Sequence, residues 1–401
     1  MSRTGRRDGA SRGGRVRGKA RQGRSSAGRK VTEDARRVAL DVLVRIDADG
    51  AYANVALPAA LSRTSLDERD RAFVTELVYG ATRRRRALDW VLDAFLVAPP
   101  PPAARAALRL GAYQIIELGT PAYAAVSATV AAAPRSHRGL VNAVLRRVAE
   151  AGPPYWPDDA TRLSYPDWIV DTLTADLGRD AAMGALESMN GPASVHRRED
   201  GYVQDLSSQM VVDAMGVQPG DLVVDMCAAP GGKATALAAR GARVIACDSH
   251  LGRIGLLKAN RESLDADRMQ VLAADGLHPP LRSGCCDAVL VDAPCSGLGT
   301  LRRRADARWR IEPSSVELLA ELQTGLLDAA IDLLRPGGQL VYSVCTLTAA
   351  ETLAVATNMS TDARLTPLPA PTEPWSPHGD GAMLLPDADH DGMTLFCWRG
   401  R

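Results

Sequence analysis

The sequence contains no apolar stretch approaching the roughly 18 residues that a membrane-spanning helix needs. Its longest candidate, TPAYAAVSATVAAAP, is short and bounded by prolines. No secretory signal is recognisable either, and the expectation is a soluble cytoplasmic protein without a membrane partner. The seven cysteines, at positions 227, 247, 285, 286, 295, 345 and 397, are odd in number, lack any CxxC spacing and all fall in the second half of the chain. That pattern argues against a disulfide framework and against a zinc site, so reduced thiols and no metal are expected. Lysine is scarce, four residues against 44 arginines, and the net charge is only +1 over 401 residues. The near-neutrality conceals an asymmetry: residues 1–30 hold eleven Lys or Arg against one Asp, and the rest of the chain is net acidic.

The segment 1–30 is dominated by Arg, Gly and Ser without apolar periodicity. It reads as a disordered basic tail that attracts polyanions, nucleic acid foremost, or as a merely solvated leader. Residues 31–150 carry helical periodicity, with Val38, Val42, Leu43 and Ile46 on one face and further stretches at 72–96, 103–118 and 124–149. An all-α domain is predicted there, punctuated by APPPPAA at 98–104 and closed by GPPYWPDD at 152–159. A connector over 151–205 has a short helical part, about 166–190, and ends in NGPASVHRREDG. From 206 onward, short apolar runs alternate with helices: DLVVDMC, ARVIACDS, MQVLAADG, CDAVLVDAP and GGQLVYSVC. Such alternation predicts an α/β domain whose mainly parallel sheet is covered on both faces. Two late runs, AMLL and MTLFCW, suit an antiparallel edge pair.

VVDMCAAPGGKATALAA reads as a strand, a tight Pro-Gly-Gly turn and a helix starting near Lys233. Gly231 and Gly232 permit close backbone approach, and free N–H groups at the helix start favour an anionic or carboxylate group. Asp248 ends the second strand, where an acid can hold ribose hydroxyls, and Asp275 ends the third, where it can accept from an adenine amino group. A nicotinamide dinucleotide site would carry GxGxxG after the first strand; APGGK fits S-adenosylmethionine better.

Asp292, Pro294 and Cys295 follow the fourth strand, and Tyr342, Ser343, Cys345 and Thr346 follow the fifth. Two thiols over a methyl donor match one chemical problem. Carbon 5 of cytosine is a poor nucleophile until a thiolate adds at carbon 6 and makes it enamine-like. One thiol would attack and the other help release, while Asp292 holds or protonates N3 of the base. Lys233 is a candidate point charge at the same place. Cys247, Cys285, Cys286 and Cys397 read as small packing residues, and Cys227 as a backbone contact within the cofactor turn.

Taken together, DMCAAPGGKATALA, CDSH, ADG, VDAPCSGLGTLRRRADARWR and YSVCTL resemble the bacterial RNA cytosine-5 methyltransferases, more narrowly the 16S rRNA group called RsmB, Sun or Fmu. DRAFVTELVYGATRRRRALD, LRLGAYQIIEL and VNAVLRR are similar to the NusB-like, RNA-binding helical domain of that group. The resemblance implies a Rossmann-like S-adenosylmethionine-dependent domain with a seven-stranded sheet, a 16S rRNA partner and a monomer. It implies cofactor contacts from Cys227, Ala228, Ala229, Pro230, Gly231, Gly232, Lys233, Asp248, Asp275 and Asp292, with Arg253 a lesser candidate. It also implies that Cys345 is the attacking thiol and Cys295 the residue of product release. DNA cytosine methyltransferases attack instead with the cysteine after proline, so both cysteines together point to RNA.

Two departures stand out. The family's longer RNA-binding segment before VQD is replaced by MNGPASVHRREDGYVQD, and the usual Asn after Glu351 is Thr352. The alternatives are the same reaction on tRNA or another RNA, and a non-catalytic RNA-binding or antitermination factor. The cysteine pair disfavours the latter; Asp-Ala-Pro-Cys in place of an Asn-Pro-Pro-Tyr pattern disfavours amino methylation.

Overall fold

The computed structural model describes residues 34–401; the basic tail read at 1–30 lies outside the described residues. Helices Ala35–Ala48, Ala53–Leu61, Glu68–Arg83, Arg85–Asp93, Pro102–Ile116, Ala122–Ala132 and Arg138–Glu150 form the first layer. Asp34 and Asp67 start two of them by accepting from the backbone N–H of Arg36 at 3.0 Å and of Asp70 at 2.8 Å. The periodic face of the first helix, Leu40, Val42, Leu43 and Ile46, enters one core with Leu77, Leu88, Leu110 and Leu145. Full burial of each such side chain contributes roughly 1.5–3 kcal/mol. Gly80 permits the tightest crossing: a Cβ there would lie 2.0 Å from the Tyr113 ring. The stretches predicted as continuous over 72–96 and 124–149 are each broken. Arg84, at φ −89° and ψ 14°, separates one pair of helices, and Ala133 and Pro134 interrupt the other.

Three connector helices, Asp159–Leu163, Asp167–Leu177 and Arg179–Ser188, build a separate small core. That core also takes in Leu298, Leu301 and Leu347, which follow the two sequence-predicted thiols.

The sheet contains β1 (Leu222–Asp225), β2 (Arg243–Asp248), β3 (Met269–Ala273), β4 (Cys286–Asp292), β5 (Leu334–Val344), β6 (Leu365–Pro367), β7 (Ser376–His378), β8 (Gly381–Leu384) and β9 (Met393–Gly400). Its order is β3-β2-β1-β4-β5-β9-β8-β7, with β6 added beside β9. The first five strands are mutually parallel, and helices cover both faces. The sheet therefore has nine strands where seven were expected, because the chain after Leu365 adds short antiparallel strands. AMLL and MTLFCW do pair antiparallel, but β9 lies inside the sheet between β5 and β8, not at its edge. Packing explains the position: Leu395, Phe396 and Trp398 of β9 are buried. Among the described residues no helix is long and apolar enough to cross a membrane.

The four consecutive arginines 83–86 turn toward the rest of the chain. Arg83 donates to the carbonyls of Asn190 and Arg302, Arg84 to that of Arg162, and Arg86 to that of Tyr165; Arg85 lies over the Trp309 ring. The return contact is Arg308, fully buried, 4.0 Å above the Tyr165 ring and donating to Asn190 Oδ1 at 2.9 Å and to the Arg83 and Ser164 carbonyls. No carboxylate pairs with it among the described residues, and burial pulls its pKa down to about 10. Substituting Arg308 by Ala leaves these acceptors buried and unpaired, and the expected loss is roughly 2–4 kcal/mol of unfolding free energy. Denaturant unfolding of the full chain measures it; a change below about 0.5 kcal/mol would sink this account of the junction.

Candidate active site

The parallel register sets five strand ends along one edge. After β1 the chain makes its turn and enters the helix Gly232–Ala239. Gly231 adopts φ 112°, a conformation that glycine alone takes freely. The turn is held from outside: the N–H of Ala228 donates to the Cys247 carbonyl at 2.8 Å, and the N–H of Ala229 to Asp248 Oδ2 at 3.3 Å. Asn260 donates to the Pro230 carbonyl at 2.8 Å. Burial pushes the Cys227 thiol up, so this cysteine belongs to the wall of the turn and not to the reactive set.

At the mouth of the turn Asp225 is buried, and neither of its carboxylate oxygens has a hydrogen-bond partner. Burial, reinforced by Asp292, pushes its pKa up to about 8. An unpartnered buried carboxyl beside a glycine turn fits a ligand that brings an ammonium or N–H group, as the amino-acid end of S-adenosylmethionine does. Its sequence signal was the first letter of DMCAAPGG, and sequence reasoning passed over it.

Asp248 is buried at the end of β2 and accepts from the His250 N–H at 2.8 Å. Asp275 lies exposed just beyond β3, where the Leu277 N–H at 3.0 Å holds its carboxyl below the usual range. Arg253 is exposed on the helix Leu251–Ser263 that follows β2, and its side chain makes no hydrogen bond or ion pair with protein groups among the described residues.

Lys233 and Asp292 are joined. Lys233 Nζ is 2.7 Å from Asp292 Oδ2, and Ser343 Oγ donates to Asp292 Oδ1 at 2.7 Å. Burial opposes the Lys233 charge, but the neighbouring anions, Asp292 foremost with Cys345 and Asp225, together outweigh it and raise the Lys233 pKa. The cofactor turn, the fourth strand and the fifth strand are thereby tied at one point.

The two thiols lie just past that point, each half-buried, with Cys295 Sγ 3.3 Å from Cys345 Sγ. They are not equivalent. The Cys295 S–H bond to Cys345 is the main influence lowering the latter, with Arg304 and Lys233 assisting, and its pKa falls to about 7 from 9.0. Cys295 is pushed well above 9.0 by the same contact and by burial. Either sulfur can donate across this contact, but Cys345 also receives the Thr300 hydroxyl at 3.9 Å, and the cations Arg304 and Lys233 favour the thiolate there. Cys247, Cys286 and Cys397 are buried thiols with raised pKa values, as packing residues should be. Thr352 is buried too: its hydroxyl donates to the Thr348 carbonyl at 2.7 Å and lies 3.2 Å from His378 Nε2, which accounts for a small hydroxyl residue at that position.

The connector lies against the cofactor turn. Arg198 Nη1 donates to the Gly232 carbonyl at 2.5 Å and its Nη2 to Thr235 Oγ1 at 3.1 Å. Arg303 joins Asp205 of the connector to Asp391, each at 2.6 Å.

A glycine turn of this kind, opening on the same sheet edge as an ion-paired acid, places the chain among Rossmann-like S-adenosylmethionine-dependent methyltransferases, here joined to an all-helical domain. Comparison with known proteins narrows the class. Residues 212–396 match the family model described as 16S rRNA methyltransferase RsmB/F, and residues 33–150 match the NusB family. Ribosomal RNA small subunit methyltransferase B of Thermus thermophilus is 37% identical over 351 residues, spanning 79% of this chain and 84% of that one. A protein of Mycobacterium tuberculosis named as a methyltransferase is 36% identical over 399 residues, 81% of this chain and 86% of that one. The crystal structure of PH0851, at 19% identity and TM-score 0.75, covers 92% of this chain and 99% of its own, and shares the fold. The chain belongs to the RsmB/F family of methyltransferases.

Because the thiolate is the reactive form, alkylation of Cys345 by iodoacetamide should accelerate as pH rises through about 7. Replacing Cys295 by Ala removes the S–H donor and should move that rise toward the ordinary thiol range. Peptide mass spectrometry across pH reads both; an unmoved profile in the variant would show that the donor bond does not form.

Proposed function

We propose that this chain methylates carbon 5 of a cytidine in 16S rRNA through a covalent adduct on Cys345. The observation that carries the reading is the asymmetric thiol pair, 3.3 Å apart and one of them drawn down in pKa, beside the Lys233–Asp292 ion pair. Membership of the RsmB/F family and the relative in Thermus thermophilus named for the small-subunit RNA support the choice of RNA.

When bound, S-adenosylmethionine supplies an electrophilic methyl group. Cys345 Sγ forms a bond to carbon 6 of the base, and the ring double bond becomes an electron pair at carbon 5 that takes the methyl group. Asp292 accepts the N3–H bond once N3 takes a proton from solvent as charge develops on the ring, and the Lys233 ammonium balances the carboxylate. Loss of the carbon 5 proton then re-forms the double bond, and the Cys345 thiolate departs.

The second thiol suits that last step for a physical reason. Its proton is retained mainly because Cys345 is anionic beside it. Once Cys345 is bonded to carbon 6 it carries no charge, so the half-buried Cys295 can release its proton to solvent and then accept the one leaving carbon 5. Asp225, Asp248, Asp275 and the turn from Cys227 to Gly232 would hold the cofactor. Arg253, exposed on the helix after β2, would be a lesser contact.

Bisulfite sequencing of 16S rRNA and tRNA from cells with and without the gene tests the assignment. One 16S cytidine should lose protection in the deletion; loss confined to tRNA would overturn the target and leave the chemistry. With purified protein, Cys345→Ala should abolish methyl transfer, at least about 10³-fold. Cys295→Ala should form the adduct and stall, so a denaturant-resistant protein–RNA band should accumulate. Its absence with Cys345 intact and RNA bound would refute the release role.

A further inference from the structure

Behind the two thiols lies a carboxylate that the reaction as described does not use. Glu351 is fully buried, and no ion-pairing cation reaches it among the described residues. Burying an unpaired charge is expensive, and an apolar side chain could fill the space at less cost. What holds Glu351 there is a ring of donors. Its Oε1 accepts from the Ser296 N–H at 2.8 Å and from Gln323 Nε2 at 3.2 Å. Its Oε2 accepts from Ser296 Oγ at 2.5 Å, Thr346 Oγ1 at 3.1 Å and Thr348 Oγ1 at 3.0 Å.

The donors are not scattered. Ser296 directly follows Cys295 and Thr346 directly follows Cys345. Their hydroxyls also lie 2.8 Å from one another. Gln323 extends the ring to the other side of Cys295 by donating to the Pro294 carbonyl at 2.8 Å. One carboxylate therefore grips the residue after each sulfur, and through Gln323 the residue before one of them. The two loops leave different strands, and no covalent link joins them: both cysteines are free thiols.

We propose that Glu351 is the positioning residue of this site, pinning Ser296 and Thr346 so that Cys295 Sγ stays a hydrogen-bond donor to Cys345 Sγ. The charge has a second effect in the same direction, since it disfavours a thiolate at Cys295. The proton of the pair then stays on Cys295, and Cys345 is left ready to attack. This rests on the reading of Cys345 as the nucleophile. Glu351 touches neither sulfur nor any bound molecule; it acts through its neighbours.

Alkylation of Cys345 by iodoacetamide tests the idea on the full chain without RNA, so it stands even if the proposed substrate is wrong. In Glu351→Gln the carboxylate becomes an amide with one acceptor, and the pH at which Cys345 alkylation rises should move up. At neutral pH that is about a tenfold slower reaction per unit. With methylatable RNA, kcat should fall by about 100-fold at unchanged KM, because binding groups are untouched. Thr346→Val, nearly isosteric, should reproduce part of both effects and decides the matter if the Gln variant does not fold. Adding Glu351→Gln to Cys295→Ala should shift the Cys345 profile no further, because the donor it positions is already gone. A merely structural Glu351 would lower the unfolding temperature and leave the alkylation profile of every folded variant where it is in the wild type. That result, or an additive further shift in the double variant, would overturn the proposal. If the wild type alkylates as described but methylates no RNA, the proposed function fails and the positioning role is still judged by the alkylation profiles.

Discussion

The parallel pairing of β4 with β5 sets Asp292 opposite Ser343, and the chemistry of the site follows from that register. A hydroxyl and a carboxylate on neighbouring strand ends lock to each other and orient the acid toward Lys233. Beyond them the two chains diverge into loops, one reaching Cys295 and the other Cys345. A one-residue slip in this pairing would turn Asp292 to the opposite face of the sheet and leave Lys233 buried against no anion. The ion pair is thus both a consequence of the register and a penalty against any other.

Much of this arrangement was legible in the sequence. The change from helical periodicity to short apolar runs located the sheet, and strand-end acids pointed to one crevice, because a parallel sheet places those ends on one side. The paired cysteines were found for the same reason. What escaped detection depends on convergence in space. Asp225 looked like the last residue of a strand, and only burial without a partner distinguishes it. Glu351 served merely to mark a position, since its five donors come from three separate segments of chain. Strand number was misjudged because three-residue strands such as β6 and β7 carry no periodic signal. The place of β9 inside the sheet is a matter of tertiary packing, which an apolar run alone does not specify.

The arginines illustrate how composition can mislead. A chain with so many of them suggests a surface prepared for phosphates, yet several of the most clustered ones face inward. Arg83, Arg84 and Arg86 cap carbonyls of the connector and catalytic segments, and Arg302 is buried against Asp391 at 2.6 Å. The planar guanidinium, with five donors, suits a junction built from loop carbonyls that no regular element satisfies. Lysine could not have replaced it, which is consistent with the few lysines present and with the one at the site being ion-paired.

The segment that leaves Cys295 ends at Arg308, deep in the seam between helical and catalytic domains. The helical domain is therefore not a detachable adaptor. Cutting it away would strip one wall from the loop that carries a reactive sulfur and strand a buried cation together with the carbonyls it satisfies. Along this seam the helical domain and the loop behind Cys295 share one set of contacts, so a change on either side is felt on the other.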